Sequence, residues 1–189
     1  LENFSMRIMR GDKIGIVGGN GSGKTSFIKM IVGDLAPDTG RVKLGKTVTI
    51  TYFDQKRSSL DPQDSLWKTL CPTGGDYVKV GEKQMHVVAY LKNFLFDPKS
   101  ARDRVSTLSG GQQNRLLLAK ALANPGSFLI LDEPTNDLDM DTLDMIQEVL
   151  SDFEGTLIII SHDRDFLDRI VTKTLIFKGD GNIDETYGG

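Results

Sequence analysis

Hydrophobic and polar positions along the chain change period several times, and the changes mark its elements. Lys13-Ile14-Gly15-Ile16-Val17, Phe128-Leu129-Ile130-Leu131 and Leu157-Ile158-Ile159-Ile160 are short, nearly continuous apolar runs. Such runs predict parallel strands buried on both faces. Phe4, Met6 and Ile8 alternate with polar residues, as a half-buried strand would, which makes Phe4 a core residue. Leu116, Leu117, Leu118 and Leu122 predict a helix with Ser109 as its N-cap, and Leu143, Ile146, Val149 and Leu150 predict an amphipathic helix between two core strands. Val88, Leu91 and Leu95 recur at helical spacing, predicting one helix from Glu82 to Phe96 that contains a structural His86. Trp67 and Leu70, also at helical spacing, are expected in the core.

Strands alternating with helices predict an α/β fold with a mainly parallel sheet and flanking helices. One domain is expected, with residues 1–54 and 125–189 forming a core and 55–124 a smaller helical portion. Pro62, Pro72, Gly74 and Gly75 punctuate the start of that portion. A chain of 189 residues suffices for one well-buried α/β domain.

Chemistry enters at the strand ends. Gly18-Gly19-Asn20-Gly21-Ser22-Gly23-Lys24-Thr25 fits G-x-x-x-x-G-K-[ST] between a strand and a helix, the context a P-loop needs. Its N–H groups would converge on phosphate oxygens, Lys24 would reach the β- and γ-phosphates, and Thr25 would hold Mg²⁺; Ser26 continues the same helix start. Asp132 and Glu133 follow the second apolar strand. In open α/β sheets the ligand lies beyond the strands' carboxyl ends, so Asp132 suits the Mg²⁺ shell and Glu133 the attacking water. Ser109-Gly110-Gly111-Gln112 is a second glycine-rich turn, whose cap aims a helix N-terminus at an anion. His162 follows the third strand, and spacing alone favours a structural role for it.

Together these residues resemble an ATP-binding cassette ATPase along essentially the whole chain, with Leu108-Ser109-Gly110-Gly111-Gln112 as the signature. The resemblance implies that Gln55 is the Q-loop glutamine contacting Mg²⁺ and the attacking water. It also makes Asn136-Asp137-Leu138-Asp139 the D-loop and His162 the switch histidine. It further implies that Ser109, Gly110, Gly111 and Gln112 serve ATP bound to a second cassette packed head-to-tail. The run Asp132-Glu133-Pro134-Thr135-Asn136-Asp137-Leu138-Asp139 and the run Ser161-His162-Asp163-Arg164-Asp165-Phe166-Leu167-Asp168 are similar to the ABC-F branch, twin-cassette ATPases that act on ribosomes. Gly74-Gly75-Asp76-Tyr77-Val78 and the residues around His86 look like the second cassette of Uup-like members. Gln112 departs from this pattern, since the branch often has Glu there and transporter cassettes have Gln. The resemblance also implies an N-terminally truncated cassette, because the adenine-stacking aromatic usually precedes the P-loop in a segment that Leu1 does not reach.

Composition adds limits. No apolar run approaches the roughly 18 residues of a membrane span and no signal segment is evident, so a cytoplasmic protein without direct membrane insertion is expected. Cys71 is the single cysteine, so no internal disulfide is possible. A formal net charge of −3 gives no bulk attraction to nucleic acid. A ribosome or nucleic-acid partner would therefore be held mainly by elements outside this chain. The expected activity is hydrolysis of ATP with Mg²⁺, coupled to closure against a second cassette. A transporter's nucleotide-binding subunit and an ATP-gated DNA-maintenance module are the alternatives.

Overall fold

The computed structural model describes residues 4–54, 60–80, 83–123, 125–136 and 138–188. In chain order the elements are β1 (Lys13–Gly18), α1 (Lys24–Val32), β2 (Ile50–Asp54), α2 (Leu66–Leu70), β3 (Tyr77–Val80), β4 (Lys83–His86) and α3 (Val87–Asn93). They continue with α4 (Gly110–Leu122), β5 (Phe128–Asp132), α5 (Met140–Ser151), β6 (Thr156–Ile160), α6 (Arg164–Asp168), β7 (Lys173–Phe177) and β8 (Ile183–Tyr187). Six strands form one sheet in the order β2-β5-β6-β1-β7-β8. The β5/β6, β6/β1 and β1/β7 pairs are parallel and β7/β8 is antiparallel. This is the α/β fold with a mainly parallel sheet that the apolar runs predict.

The chain divides into two compact units. The first comprises Leu1–Tyr52, Gly126–Glu133 and Gly155–Gly189. Alternate residues of its strands, Ile14 and Ile16, Phe128 and Ile130, Ile158 and Ile160, Leu175 and Phe177, pack with Phe27, Ile28 and Ile31 of α1. Each such side chain gains roughly 1.5–3 kcal/mol by leaving water. The opposite face is buried too. A Cβ on Gly15 would sit 3.2 Å from Val171 Cγ2 and 3.4 Å from Leu167 Cδ1, so a side chain there would press on the residues of α6 and the turn after it that pack over β1.

Phe4, Met6 and Ile8 are partly buried against this core, and the Phe4 ring meets Phe27 edge-on at 5.9 Å. Their alternation reports burial correctly. Residues 4–9 nonetheless form no strand, because a strand needs a hydrogen-bonded neighbour as well as a pattern.

The second unit comprises Phe53–Pro125 and Pro134–Glu154. It therefore takes α5, which the sequence division placed with the core. The expected helix from Glu82 to Phe96 is also different. Lys83–His86 pairs antiparallel with Tyr77–Val80, and α3 begins only at Val87. His86 caps α3, its Nδ1 accepting the Val88 N–H at 3.3 Å, and its ring lies edge-on between Trp67 and Tyr77, each at 5.5 Å. A capping residue has non-helical backbone, so the helical period cannot extend upstream of it. At the other end Leu95 lies beyond α3 in the left-handed region, with φ 59°. Trp67 is only half-buried, donating from Nε1 to Gly75 O at 3.0 Å, whereas Leu70 is in the core. The Tyr90 hydroxyl ties α3 to α4 by donating to Ala119 O at 2.8 Å.

Candidate functional site

Register explains why residues far apart in sequence meet. Ile16 pairs with Ile160 and Ile160 with Asp132, so β1, β6 and β5 finish at the same edge of the sheet. Three groups leave that edge towards a shared volume: the P-loop after β1, Glu133 after β5, and His162 after β6.

The P-loop is shaped by close approach. A Cβ on Gly18 would lie 2.7 Å from Phe177 O and 2.8 Å from Ser22 Oγ, which excludes any side chain there. Gly23 occupies the N-cap of α1 with φ 102°, and no side chain caps this helix. The first-turn N–H groups of Lys24, Thr25 and Ser26 therefore lack the side-chain acceptor that most helix starts have. Gly19, Asn20, Gly21, Thr25 and Ser26 are exposed. Ser22 Oγ is buried without a hydrogen-bond partner among the described residues. Lys24 folds back on its own loop, donating from Nζ to Gly18 O at 2.6 Å and Gly19 O at 2.9 Å. Unspent donors and a cation donating to loop carbonyls suit a polyphosphate.

Glu133 is the strained residue of the site. Its φ of 51° places a glutamate in the left-handed region, at a cost of about 1–2 kcal/mol for a side chain with a Cβ. Its N–H still donates to Ile160 O at 2.9 Å, which extends the β5/β6 ladder and holds the residue in place. Oε1 lies 3.3 Å from His162 Nε2, and the carboxylate also accepts the His162 backbone N–H. Burial pushes the Glu133 carboxyl above the ordinary carboxylate range. His162 pulls it back, Asp132 pushes it up, and Lys24 pulls it back. A carboxylate raised in this way is a better proton acceptor near neutral pH than a solvated one.

His162 is set by its neighbours. Buried Ser161 accepts the Asp163 N–H on Oγ at 3.1 Å, and Asp163 caps α6 by accepting the Phe166 N–H at 3.0 Å. The intervening imidazole is left 58% exposed and aimed at Glu133. Asp132 accepts a hydrogen bond from the Tyr52 hydroxyl at 3.3 Å. Tyr52 carries no motif of its own and reaches Asp132 only through sheet order, so no local signal in the sequence marks it. Gln55 lies outside the described residues.

Ser109, Gly110 and Gly111 are exposed at the start of α4, in the second unit. Ser109 Oγ accepts the Gln112 N–H at 3.3 Å while Gln112 Oε1 accepts the Ser109 N–H at 2.9 Å. This is a complete capping box, for which S-x-x-Q is the sequence signal; Ser109 was expected as the cap, without its reciprocal partner. Glu could serve equally at position 112, so the residue there reports capping and does not distinguish a branch. The N–H groups of Gly110 and Gly111, at the first two helical positions, have no helical carbonyl to bond. Ser109→Ala should destabilise the chain by about 0.5–2 kcal/mol, the usual cost of a lost N-cap, while Gln112→Glu should melt like the parent. Chemical denaturation of the three proteins would check both.

The ABC transporter family model matches residues 1–136. The chain belongs to the ABC transporter family. It is 51% identical to the ATP-binding protein Uup of Caulobacter vibrioides over its whole length, covering 31% of that protein. It is 42% identical over 180 residues to the energy-dependent translational throttle protein EttA of Mycobacterium tuberculosis, covering 95% of this chain and 32% of EttA. The chain thus spans about a third of the length of these relatives. Identity at this level to Uup and EttA bears out the ABC-F resemblance read from the motifs. The fold matches the dimeric, post-hydrolysis cassette MJ0796 bound to ADP and Pi with a TM-score of 0.73 at 22% identity, over 96% of this chain and 88% of that one.

Proposed function

We propose that this cassette binds ATP and hydrolyses it to ADP and phosphate, with Glu133 as general base. The observation that carries the reading is Glu133 itself. A left-handed glutamate, with its carboxyl raised by burial, stands beside His162 and Lys24 where the strands end. Backbone strain of this kind persists only where surrounding structure enforces it, and it clusters at functional sites.

In this mechanism Lys24 Nζ leaves Gly18 O and Gly19 O for the β- and γ-phosphate oxygens, and the N–H groups from Gly21 to Ser26 close around the phosphates. Glu133 accepts a proton from water as the water oxygen bonds to the γ-phosphorus. The bond from that phosphorus to the bridging oxygen breaks, leaving ADP. His162 orients Glu133 and supplies an N–H towards the γ-phosphate. Thr25 and Asp132, with Gln55, are the residues that would hold Mg²⁺, which when bound draws charge off the phosphate oxygens. Among the described residues no group of three or more His, Cys, Asp or Glu side chains could hold a metal ion. Of Thr25, Asp132 and Gln55, Asp132 is the one carboxylate, and Mg²⁺ in phosphate-transfer sites is commonly held by one or two carboxylates plus substrate phosphates.

Pairing with a second cassette, head-to-tail, would let Ser109, Gly110 and Gly111 face the partner's γ-phosphate. The exposure of these residues and the dimeric fold relative support this arrangement. The physiological partner is proposed to be the ribosome, by the likeness to a translational throttle protein. Among the described residues no helix is long and apolar enough to cross a membrane.

Removing the Lys24 charge tests the binding half of this reading. Lys24→Ala should lose about 10- to 100-fold in ATP affinity, the worth of one or two charge-assisted hydrogen bonds, as measured by titration calorimetry. Unchanged affinity in a folded variant would contradict the site. For the partner, the full-length protein carrying Glu133→Gln should co-sediment with ribosomes in ATP and not in ADP. Sedimentation with membranes instead would favour the transporter reading.

A further inference from the structure

The start of β2 is tied to the start of β5 by hydrogen bonds. Thr49 O accepts the Phe128 N–H at 3.0 Å, Thr49 Oγ1 the Ser127 N–H at 2.9 Å and Thr51 Oγ1 the Gly126 N–H at 2.8 Å. Further along, the Tyr52 hydroxyl reaches Asp132, the last residue of β5, and donates to its Oδ2 at 3.3 Å. All of these residues belong to the first unit. Strand alternation decides the face that the pair occupies. Ile50 and Tyr52 pack against the cluster that Phe128 and Ile130 form with Phe27, Ile28 and Ile31 of α1. Asp132, two residues beyond Ile130, continues that face of β5. The Tyr52 ring is therefore held by the core that α1 covers, and α1 begins with Lys24 and Thr25 of the P-loop. Tyr52 and Asp132 are both half-buried, which limits competition from water for the hydrogen bond between them.

We propose that Tyr52 is a positioning residue for the metal: its hydroxyl fixes the plane of the Asp132 carboxylate, so that Asp132 is already oriented when Mg²⁺ arrives with the nucleotide. A carboxylate offers about four lone-pair sites, and one spent on Tyr52 leaves acceptors for an ion. Groups that orient a metal ligand in this way typically carry about 10- to 100-fold of metal affinity. The ring packs and the hydroxyl orients, so phenylalanine separates the two roles. The inference rests on the reading that Asp132 holds Mg²⁺ beside bound ATP. Its effect belongs to the metal-dependent part of ATP binding and not to the grip of the P-loop N–H groups on the phosphates.

Calorimetric ATP titrations of the full-length protein, in Mg²⁺ and in EDTA, test this. They use the Glu133→Gln background to prevent turnover, with any other nucleotide site disabled at its P-loop lysine. The ratio of the two affinities reports what the metal contributes. Tyr52→Phe should cut that ratio about 10-fold, the lower end of the range because 3.3 Å is long for an O–H···O bond, while affinity in EDTA changes less than about twofold. Asp132→Asn should also lower the ratio, and adding Tyr52→Phe to it should change nothing further, because the hydroxyl acts only through the carboxylate. Mn²⁺ binding to the ATP-loaded proteins, followed by electron paramagnetic resonance, should weaken by the same factor. Should Tyr52→Phe fail to fold, Tyr52→Met, which is also apolar and lacks the hydroxyl, replaces it with the same expectation. A parent-like ratio in Tyr52→Phe, or equal losses in Mg²⁺ and in EDTA, would overturn the proposal. If Asp132→Asn lowers the ratio and Tyr52→Phe does not, only the role of Tyr52 fails. A parent ratio near one, or a ratio that Asp132→Asn leaves unchanged, would remove the metal reading of Asp132 and the proposal with it.

Discussion

Glu133→Gln should slow single-turnover hydrolysis by about 10²–10⁴-fold while ATP binding is retained, the range for losing a positioned general base. The glutamine keeps the shape of the side chain and a donor-acceptor pair for His162, but it cannot take a proton. Stability provides a second, independent readout. The Glu133 carboxyl is raised above its ordinary value of 4.5, burial being the largest cause. Between the unfolded and folded values the native state binds the proton more tightly, so stability falls as pH rises through that interval. Above it the charged carboxylate is a standing cost that glutamine lacks. The variant should therefore melt higher than the parent at pH 7.5, with the gap closing as pH falls towards 4.5. Thermal melts at several pH values and quenched-flow hydrolysis report the two effects. Near-normal hydrolysis would move the base elsewhere, with His162 the first candidate.

Gly110→Asp should leave ATP binding at this chain's own P-loop intact while abolishing ATP-driven closure of the cassette pair and hydrolysis at the partner's site. A Cβ on Gly110 meets nothing within 4 Å, and no strained φ is involved. A carboxylate at the first position of α4 is, in addition, favourable towards the helix dipole. The variant should fold and melt no lower than the parent. Against a γ-phosphate across an interface the new charge is costly: like charges about 4 Å apart at an effective dielectric near 20 repel by about 4 kcal/mol, roughly a thousandfold. Calorimetric ATP binding and the sedimentation coefficient of the Glu133→Gln background separate the two effects. Loss of binding to the folded single domain, with closure unaffected, would mean that the signature serves its own site.

Both predictions use residues visible in the bare sequence, yet each gains its force from something local reading does not reach. Glu133 is legible as an acid after an apolar strand. Its left-handed backbone is set by the Ile160 carbonyl of the neighbouring strand, and the raised carboxyl comes from burial among Asp132, His162 and Lys24. Ser109 is legible as a helix cap. That Gln112 completes the box needs only the same capping rule carried to the third helical position, so this part of the site was within reach of the sequence.

The single helix expected from Glu82 to Phe96 failed for a different reason. Its helical spacing is real within Val87–Asn93, but Lys83–His86 has a cross-strand partner in Tyr77–Val80. Pairing between segments leaves little mark on the period of either one. The contact of Tyr52 with Asp132 is of the same kind.

What this sequence determined by itself is the class of fold and the chemical inventory. Strands buried on both faces must be apolar throughout, a phosphate cradle needs glycines followed by Lys-Thr, and a helix start needs a cap; each is a local demand that residue type alone can meet. The tertiary structure decided which of those groups share a volume and in what electrostatic state. Parallel pairing aligns Ile16, Ile160 and Asp132, and so delivers His162 to Glu133. Sheet register and burial are properties of segments brought together, and a proton's affinity for Glu133 depends on the charges and the water that those segments leave around it.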